Sequence, residues 1–436
     1  MLIAAQIAVV VAALVIGARL GSVGIGFAGG AGVVALAALG VPVAAADIPF
    51  DVIGIIMAVI AAISAMQRAG GMDHLVHLAE RLLRRNPRRV TRLAPLVTYF
   101  MTLFAGTGHT AFATLPVIVE VAKEGGVRPS RPLSVAVVAS QMAITASPIS
   151  AAVVFVAALL EPHGVGYLQL LAVVIPATLA AVIATSFLAE HLGPELEDDP
   201  EYRRRRAAGL VAAPRAAEDY VPAPGARASV GIFLAAIAVV MVYATAISEQ
   251  VGLIADPALP RNEAIMAIML AAALAITLIA RIPAGEIPGT QVFRSGMSAC
   301  VCVMGVAWLG TTLVNAHLEA ITAGAGDLLR ARPWLLAVVL FLAAALLYSQ
   351  AATAKAMLPA ALAIGVSPAT AVASFAATSA LFVLPTYPTL LAAVEMDDTG
   401  STRLGHYVVD HPFIIPGTVA IALAVAAGFV LGGLIL

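Results

Sequence analysis

Charge is scarce in this sequence. Of 436 residues only 11% are Asp, Glu, Lys or Arg, and 61% are apolar. Soluble globular domains carry about 25% and about 45–50% of these classes, so a water-soluble fold is excluded. The net charge of −1 holds no basic surplus that would point to nucleic acid. Cysteine is nearly absent. Cys300 and Cys302 stand two residues apart in one apolar segment, on different helix faces. That is neither dithiol nor metal-ligand spacing, and they read as packing residues. No metal or cofactor is implied. Met1–Ile16 lacks the basic n-region of a cleaved signal and leads into further apolar segments, so it reads as a first membrane span. Acids are missing where a cation/proton antiporter would need them: Glu120, Glu161 and Glu395 all lie near segment ends.

Apolar runs are abundant, and several are too short to cross a bilayer. Leu93 to Ala105 is apolar, the turn Gly106-Thr107-Gly108-His109-Thr110 follows, and a second arm runs through Leu115-Pro116 to Val121. Each arm is about 13 residues, or roughly 20 Å as helix, against a hydrocarbon slab of roughly 30 Å. The expectation is a re-entrant hairpin with its polar tip near mid-membrane. Irregular backbone at that depth is tolerated only where it is buried in protein or lines a cavity. The pattern then recurs. Pro333 to Tyr348 is apolar, Ser349-Gln350-Ala351-Ala352-Thr353-Ala354-Lys355 breaks it, and Met357-Leu358-Pro359 opens a return arm. Both hairpins follow an amphipathic stretch, Met72–Arg85 and His317–Arg330. Both precede an apolar segment broken at proline, Thr145-Ala146-Ser147-Pro148-Ile149-Ser150 and Leu384-Pro385-Thr386-Tyr387-Pro388-Thr389. Four elements in one order read as a duplication, and interrupted segments at matching places in two halves point to a transporter's binding site.

In chain order the first half predicts spans at about 2–18, 22–40 and 51–68, hairpin one, the broken span 131–160 and the span 167–190. Residues 191–227 are polar and read as a surface linker. The second half predicts spans at about 228–248, 263–281 and 291–313, hairpin two, the broken span 367–394 and the span 412–435. Five crossings per half make the second copy inverted, giving an all-α polytopic protein of about ten spans and two hairpins. With both termini outside, all but four of the 24 Lys and Arg fall on cytoplasmic connections; the exceptions are Arg261, Arg330, Arg332 and Lys355. The positive-inside rule favours that orientation. Gly17, Gly21, Gly26 and Gly30 give small-residue faces on the first two spans and read as helix packing.

The four irregular stretches are the candidate site. Unwinding frees backbone N–H and C=O groups, and half-helix N-termini attract anions. Hydroxyls of Thr107, Thr110, Ser147, Ser150, Ser349, Thr353 and Thr386 and the Gln350 amide can add hydrogen bonds. Gly108, Thr145, Pro148, Pro385, Tyr387, Pro388 and Thr389 complete the stretches. The bland alternative is that these hydroxyls only satisfy broken backbone. Lys355 is the one basic side chain placed deep in the slab, where an ammonium costs about 2.5–3.5 kcal/mol and calls for a partner; a bound dianion suits. The alternative is that it snorkels to the interface. His109 can bond a carboxylate or carry a proton, or be satisfied by backbone. A dry, positive empty site moves poorly across the slab, which predicts exchange of anions over uniport. An intramembrane enzyme with Ser147 as nucleophile and His109 as base has no flanking motif to support it.

At these residues the chain resembles a known family. FAGTGHTAFATLP (Phe104–Pro116), QMAITASPISAAVV (Gln141–Val154), LLYSQAATAKAMLP (Leu346–Pro359) and LPTYPTLLAAVEMDDTG (Leu384–Gly400) are similar to the Dcu family of bacterial anaerobic C4-dicarboxylate transporters, above all its A-type branch. IPFDVIGIIMAVIAAISAMQRAGG (Ile48–Gly71) and HPFIIPGT (His411–Thr418) match too, so the likeness covers essentially the whole chain. It implies a multi-pass inner-membrane exchanger of aspartate, fumarate, malate and succinate, with cation-coupled symport as the alternative. Lys355 follows the A-type pattern, whereas His109 stands where that pattern has Asn. The family is similar in plan to the dimeric elevators of the ion-transporter superfamily. That analogy implies a homodimer. It divides the chain into scaffold (1–68, 228–313), interfacial arms (69–92, 314–332), transport elements (93–190, 333–436) and the linker 191–227.

Overall fold

The computed structural model describes every residue except 1, 21, 22, 49, 214–219, 248–252, 255, 318–330, 348, 385, 386 and 406–409. The regular elements among the described residues are all helices. The first half comprises α1 (Leu2–Leu20), α2 (Gly24–Ala38), α3 (Phe50–Arg68), α4 (Gly71–Arg84), α5 (Val90–Ala105), α6 (Ala111–Glu124), α7 (Ser130–Ile144), α8 (Ala151–Leu160) and α9 (Tyr167–Ala189). After the short α10 (Pro200–Ala207) come α11 (Ala226–Ala246), α12 (Arg261–Ile279), α13 (Gln291–Ala316), α14 (Leu335–Leu347), α15 (Gln350–Ala363), α16 (Pro368–Phe375), α17 (Pro388–Met396) and α18 (Ile414–Ile435). A 3-10 stretch, Ala376–Phe382, prolongs α16.

Four of these helices, α9, α11, α12 and α18, are long and apolar enough to cross a bilayer alone. Apolar helices also occupy each remaining expected span. The architecture is that of a multi-pass membrane protein. Between α3 and α4 the chain bends by 74°. Gly70 makes the corner with φ +81°, a conformation open to glycine at no steric cost. Beyond it Met72, Leu75, Ala79 and Leu83 recur at helical spacing opposite charged residues, so α4 turns an apolar stripe inward. The matching stretch 318–330 lies outside the described residues.

α5 has 16 residues and α6 has 14, about 24 Å and about 21 Å long, each less than a hydrocarbon slab of roughly 30 Å. α14 and α15, of 13 and 14 residues, are shorter or equal. The two broken segments form the core: every residue from Ser130 to Ala143 is buried, and so is every residue from Thr370 to Phe382. A helix buried on every face must be surrounded by protein, and α7 is packed by α5, α6, α9 and the 376–382 stretch. α8 packs on α15 and α17 on α6.

α1–α3 and α11–α13 pack among themselves. The small-residue face meets a partner here: a Cβ on Gly26 would collide with Val301, and one on Gly305 with the backbone of Gly26. Two glycines thus let α2 and α13 touch backbone to backbone. The linker is less passive than its polarity suggests. Asp199 caps α10 through Glu201 N–H (2.9 Å) and pairs with Arg128 (2.9 Å), while Arg131 donates to Leu192 O and Gly193 O, both at 2.9 Å. Lys123, before α7, reaches Asp398 at 3.1 Å. Hydrogen bonds from Arg204 and Arg205 hold the Glu201 carboxyl down to about 2.

Candidate functional site

α5 ends at Gly106, whose N–H donates to Thr102 O (2.8 Å) and whose φ of +69° turns the chain. A Cβ at Gly106 would stand 3.0 Å from Ile149 Cγ1, so glycine answers both the turn and the close approach. Thr107 forms the bend, and Gly108, His109 and Thr110 make one 3-10 turn into α6. Thr110 Oγ1 donates to Thr107 O (3.2 Å) and meets Thr102 Oγ1 at 2.9 Å. At Gly108 a Cβ would lie 3.2 Å from Ile144 Cδ1 and 3.8 Å from Ser140 O. The first turn therefore rests on the last turn of α7.

The chain between α7 and α8 breaks as its sequence suggests. The freed carbonyls find hydroxyl donors: Thr145 Oγ1 gives to Met142 O (2.8 Å), Ser147 Oγ to Leu103 O (2.6 Å) and Ser150 Oγ to Ile144 O (2.7 Å). Ser150 also caps α8 by accepting from Val153 N (3.2 Å). Pro148 O accepts from Tyr167 O–H at 2.6 Å. All four donors are buried, and their hydroxyls are satisfied; Met142 O and Ile144 O also accept backbone N–H groups, from Thr145 at 3.1 Å and Ser147 at 3.4 Å.

In the second half the interruption is narrower than the seven residues expected. α15 already begins at Gln350, so Thr353 and Lys355 lie in its first two turns. The reason is local: Ser349 Oγ accepts from Ala352 N (3.2 Å) as an N-cap, and the alanine-rich stretch behind it favours helix. Thr353 Oγ1 donates to Ser349 O (2.7 Å). Gln350 Nε2 donates to Gln141 O (3.2 Å), and Ser379 Oγ gives to the same carbonyl (3.2 Å). The turn near Gly108 and the start of α15 thus reach adjacent residues of α7, Ser140 and Gln141. Lys355 Nζ lies 5.8 Å from the Phe155 ring centroid on α8, a cation–π approach.

Of the last expected stretch, Pro385 and Thr386 lie outside the described residues. Tyr387 precedes α17 without a side-chain cap, Pro388 is the exposed first residue, and the Thr389 hydroxyl is buried with no partner among the described residues. Gln141 and Ser379 were not among the residues singled out from sequence. The signal was an uncharged polar residue inside a long apolar helix, four positions before its break.

An apolar groove of about 470 Å³ lies among α4, α5 and α11. Thr110 supplies its one hydroxyl, which is already bonded, so it offers a dicarboxylate nothing. The buried polar atoms of Gln141 and Thr389, without partners among the described residues, lie instead on α7 and on α17, which packs against it.

Against known proteins, the family model described as anaerobic C4-dicarboxylate membrane transporter matches residues 2–436. The C4-dicarboxylate transporter DcuA of Wolinella succinogenes is 58% identical over 431 residues, 99% of each chain. DcuA of Escherichia coli K12 is 57% identical over 432 residues, again 99% of each. The anaerobic C4-dicarboxylate transporter DcuB of Escherichia coli O6:H1 is 36% identical over 451 residues, 99% of this chain and 98% of its own.

Proposed function

The chain belongs to the anaerobic C4-dicarboxylate membrane transporter family, and from that premise we propose that it exchanges C4-dicarboxylates across the bacterial inner membrane by alternating access. Its relatives are named as C4-dicarboxylate transporters. Aspartate, fumarate, malate and succinate are the substrates. Both termini face the periplasm and the arginines of 81–89 face the cytoplasm, so a cysteine there should be labelled only from the cytoplasmic side.

One observation carries this reading: two short-armed turns from distant parts of the chain reach neighbouring residues of one buried, broken helix. Matching packing pairs support an inverted repeat. α5 on α7 answers α14 on the 376–382 stretch, α8 on α15 answers α17 on α6, and α2 on α13 answers α12 on α3. Lys355 supplies positive charge toward a doubly negative molecule, at a depth where an ammonium is costly. The hydroxyl protons of Thr145, Ser147, Ser150 and Thr353 are committed to carbonyls, so these residues shape the walls. Substrate is read by Lys355, by Thr389 and by groups of the first turn, Thr107 to Thr110. The elements 93–190 and 333–436 move together against 1–68 and 228–313, in an elevator built as a homodimer.

Counter-flow in proteoliposomes tests the function. Labelled aspartate should enter vesicles loaded with unlabelled fumarate many times faster than empty ones. Equal uptake without internal substrate, driven by a proton or sodium gradient, would replace exchange by symport. No uptake of any of the four acids would end the reading.

A further inference from the structure

Gln141 is completely buried, and neither its Nε2 nor its Oε1 has a hydrogen-bond partner among the described residues. An amide has two donors and an acceptor, and leaving them unmet in the interior is expensive enough that native structures rarely do so without a reason. Its backbone carbonyl, by contrast, is doubly engaged, by Gln350 and Ser379, each at 3.2 Å. The main chain at this position is thus pinned by two elements of the second half. Its neighbour Ser140 lies under the Gly108 turn of the first. The other unmet hydroxyl among the candidate residues belongs to Thr389, on α17, which packs on α7. A held backbone with an unserved amide, at the junction of both turns, is the arrangement of a group whose partner arrives with the ligand.

We propose that Gln141 reads the substituent at C2 of the bound dicarboxylate, an inference that rests on the transport function proposed above. Carboxylates only accept hydrogen bonds at neutral pH, so Lys355 and the amide Nε2 can serve them. The amide Oε1 needs a donor. An ammonium or hydroxyl at C2 of a four-carbon dicarboxylate supplies one; an unsubstituted acid supplies none and leaves the buried acceptor unpaired. A site built to bond a substrate N–H or O–H discriminates strongly against the analogue that lacks it. The substituted acids, aspartate and malate, should therefore be favoured over succinate about tenfold or more.

Two measurements decide this, both on the full-length protein in proteoliposomes. In the unaltered protein, malate should displace labelled aspartate at concentrations about tenfold lower than succinate; equal displacement overturns the proposal whatever any variant does. Gln141→Met keeps the length and volume of the side chain but removes both hydrogen-bonding functions. Its half-saturating concentration for aspartate should rise about tenfold, while that for succinate, which loses the Nε2 bond but no longer leaves Oε1 unpaired, stays within about threefold, collapsing the preference. An equal loss for both acids, or an unchanged ratio, assigns Gln141 a packing role and overturns the proposal. These results differ from the failure of the transport reading itself, in which the unaltered protein exchanges none of the acids.

Discussion

At the first break, between α7 and α8, Thr145 and Ser150 donate to carbonyls at the end of α7, and Ser147 donates across to Leu103 O at the end of α5. At the second, Thr378 does the same for Phe375 O (2.8 Å), but Ser379 bonds across to Gln141 O and Thr389 bonds to nothing described. Two segments of similar sequence have thus reached different degrees of closure. The first is a self-satisfied wall, stitched to α5 through Leu103 O. The second depends on its neighbours and keeps a polar group in reserve. On this comparison, substitutions of the hydroxyls at the first break should act on stability, and those of Gln141 and of the polar groups at the second break on transport.

The sharpest separation should come from Lys355. Lys355→Ala is expected to lower dicarboxylate exchange at least about a hundredfold while the protein remains inserted, because among the described residues α14–α17 hold no other cation to replace its charge. Unchanged affinity for aspartate would remove it from the site. On the first side, Ser147→Ala orphans the buried Leu103 carbonyl and should cost about 1–3 kcal/mol of stability, read as a lowered melting temperature in detergent. Its half-saturating concentration should move less than about twofold. Thr389→Val should do the reverse: stability is unchanged or slightly raised, since a buried hydroxyl without a partner is removed, and exchange falls about threefold to tenfold. If Ser147→Ala weakens binding and Thr389→Val does not, the comparison is inverted.

A smaller effect is expected at the boundary between the proposed scaffold and transport parts. Arg261 on α12 grips Glu161 beyond α8 with two bonds, at 2.9 Å and 3.0 Å. Motion of one part past the other must break this pair. Glu161→Gln should change turnover about twofold to threefold with little change in affinity, as measured by exchange rates at saturating substrate.

Much of the fold could be read from the apolar runs, because a bilayer leaves helices as the only economical spanning elements and their length is fixed by slab thickness. Each expected span falls within about three residues of a helix or a broken pair. The bend at Gly70 follows from glycine beside an amphipathic pattern. The start of α15 does not, since polar residues in QAATAKA suggested a longer break while Ser349 capping and alanine propensity extend the helix. The linker's grip on the 128–131 region was hidden for another reason: charge counts give a side of the membrane, not partners as distant as Arg128 and Asp199. Gln141 is legible only as one strongly polar residue in a mostly apolar stretch, and averaging over the segment hides it. The expectations for Pro385, Thr386 and 318–330 concern residues outside those described.

The central claim is that the two turns hold one molecule together. In a background lacking Cys300 and Cys302, single cysteines at Thr107, on the first turn, and at Ala351, at the start of α15, should react with a small thiol reagent. Aspartate should protect both, with the same half-maximal concentration as its exchange. Protection of only one position, or of both at unrelated concentrations, would contradict a shared site.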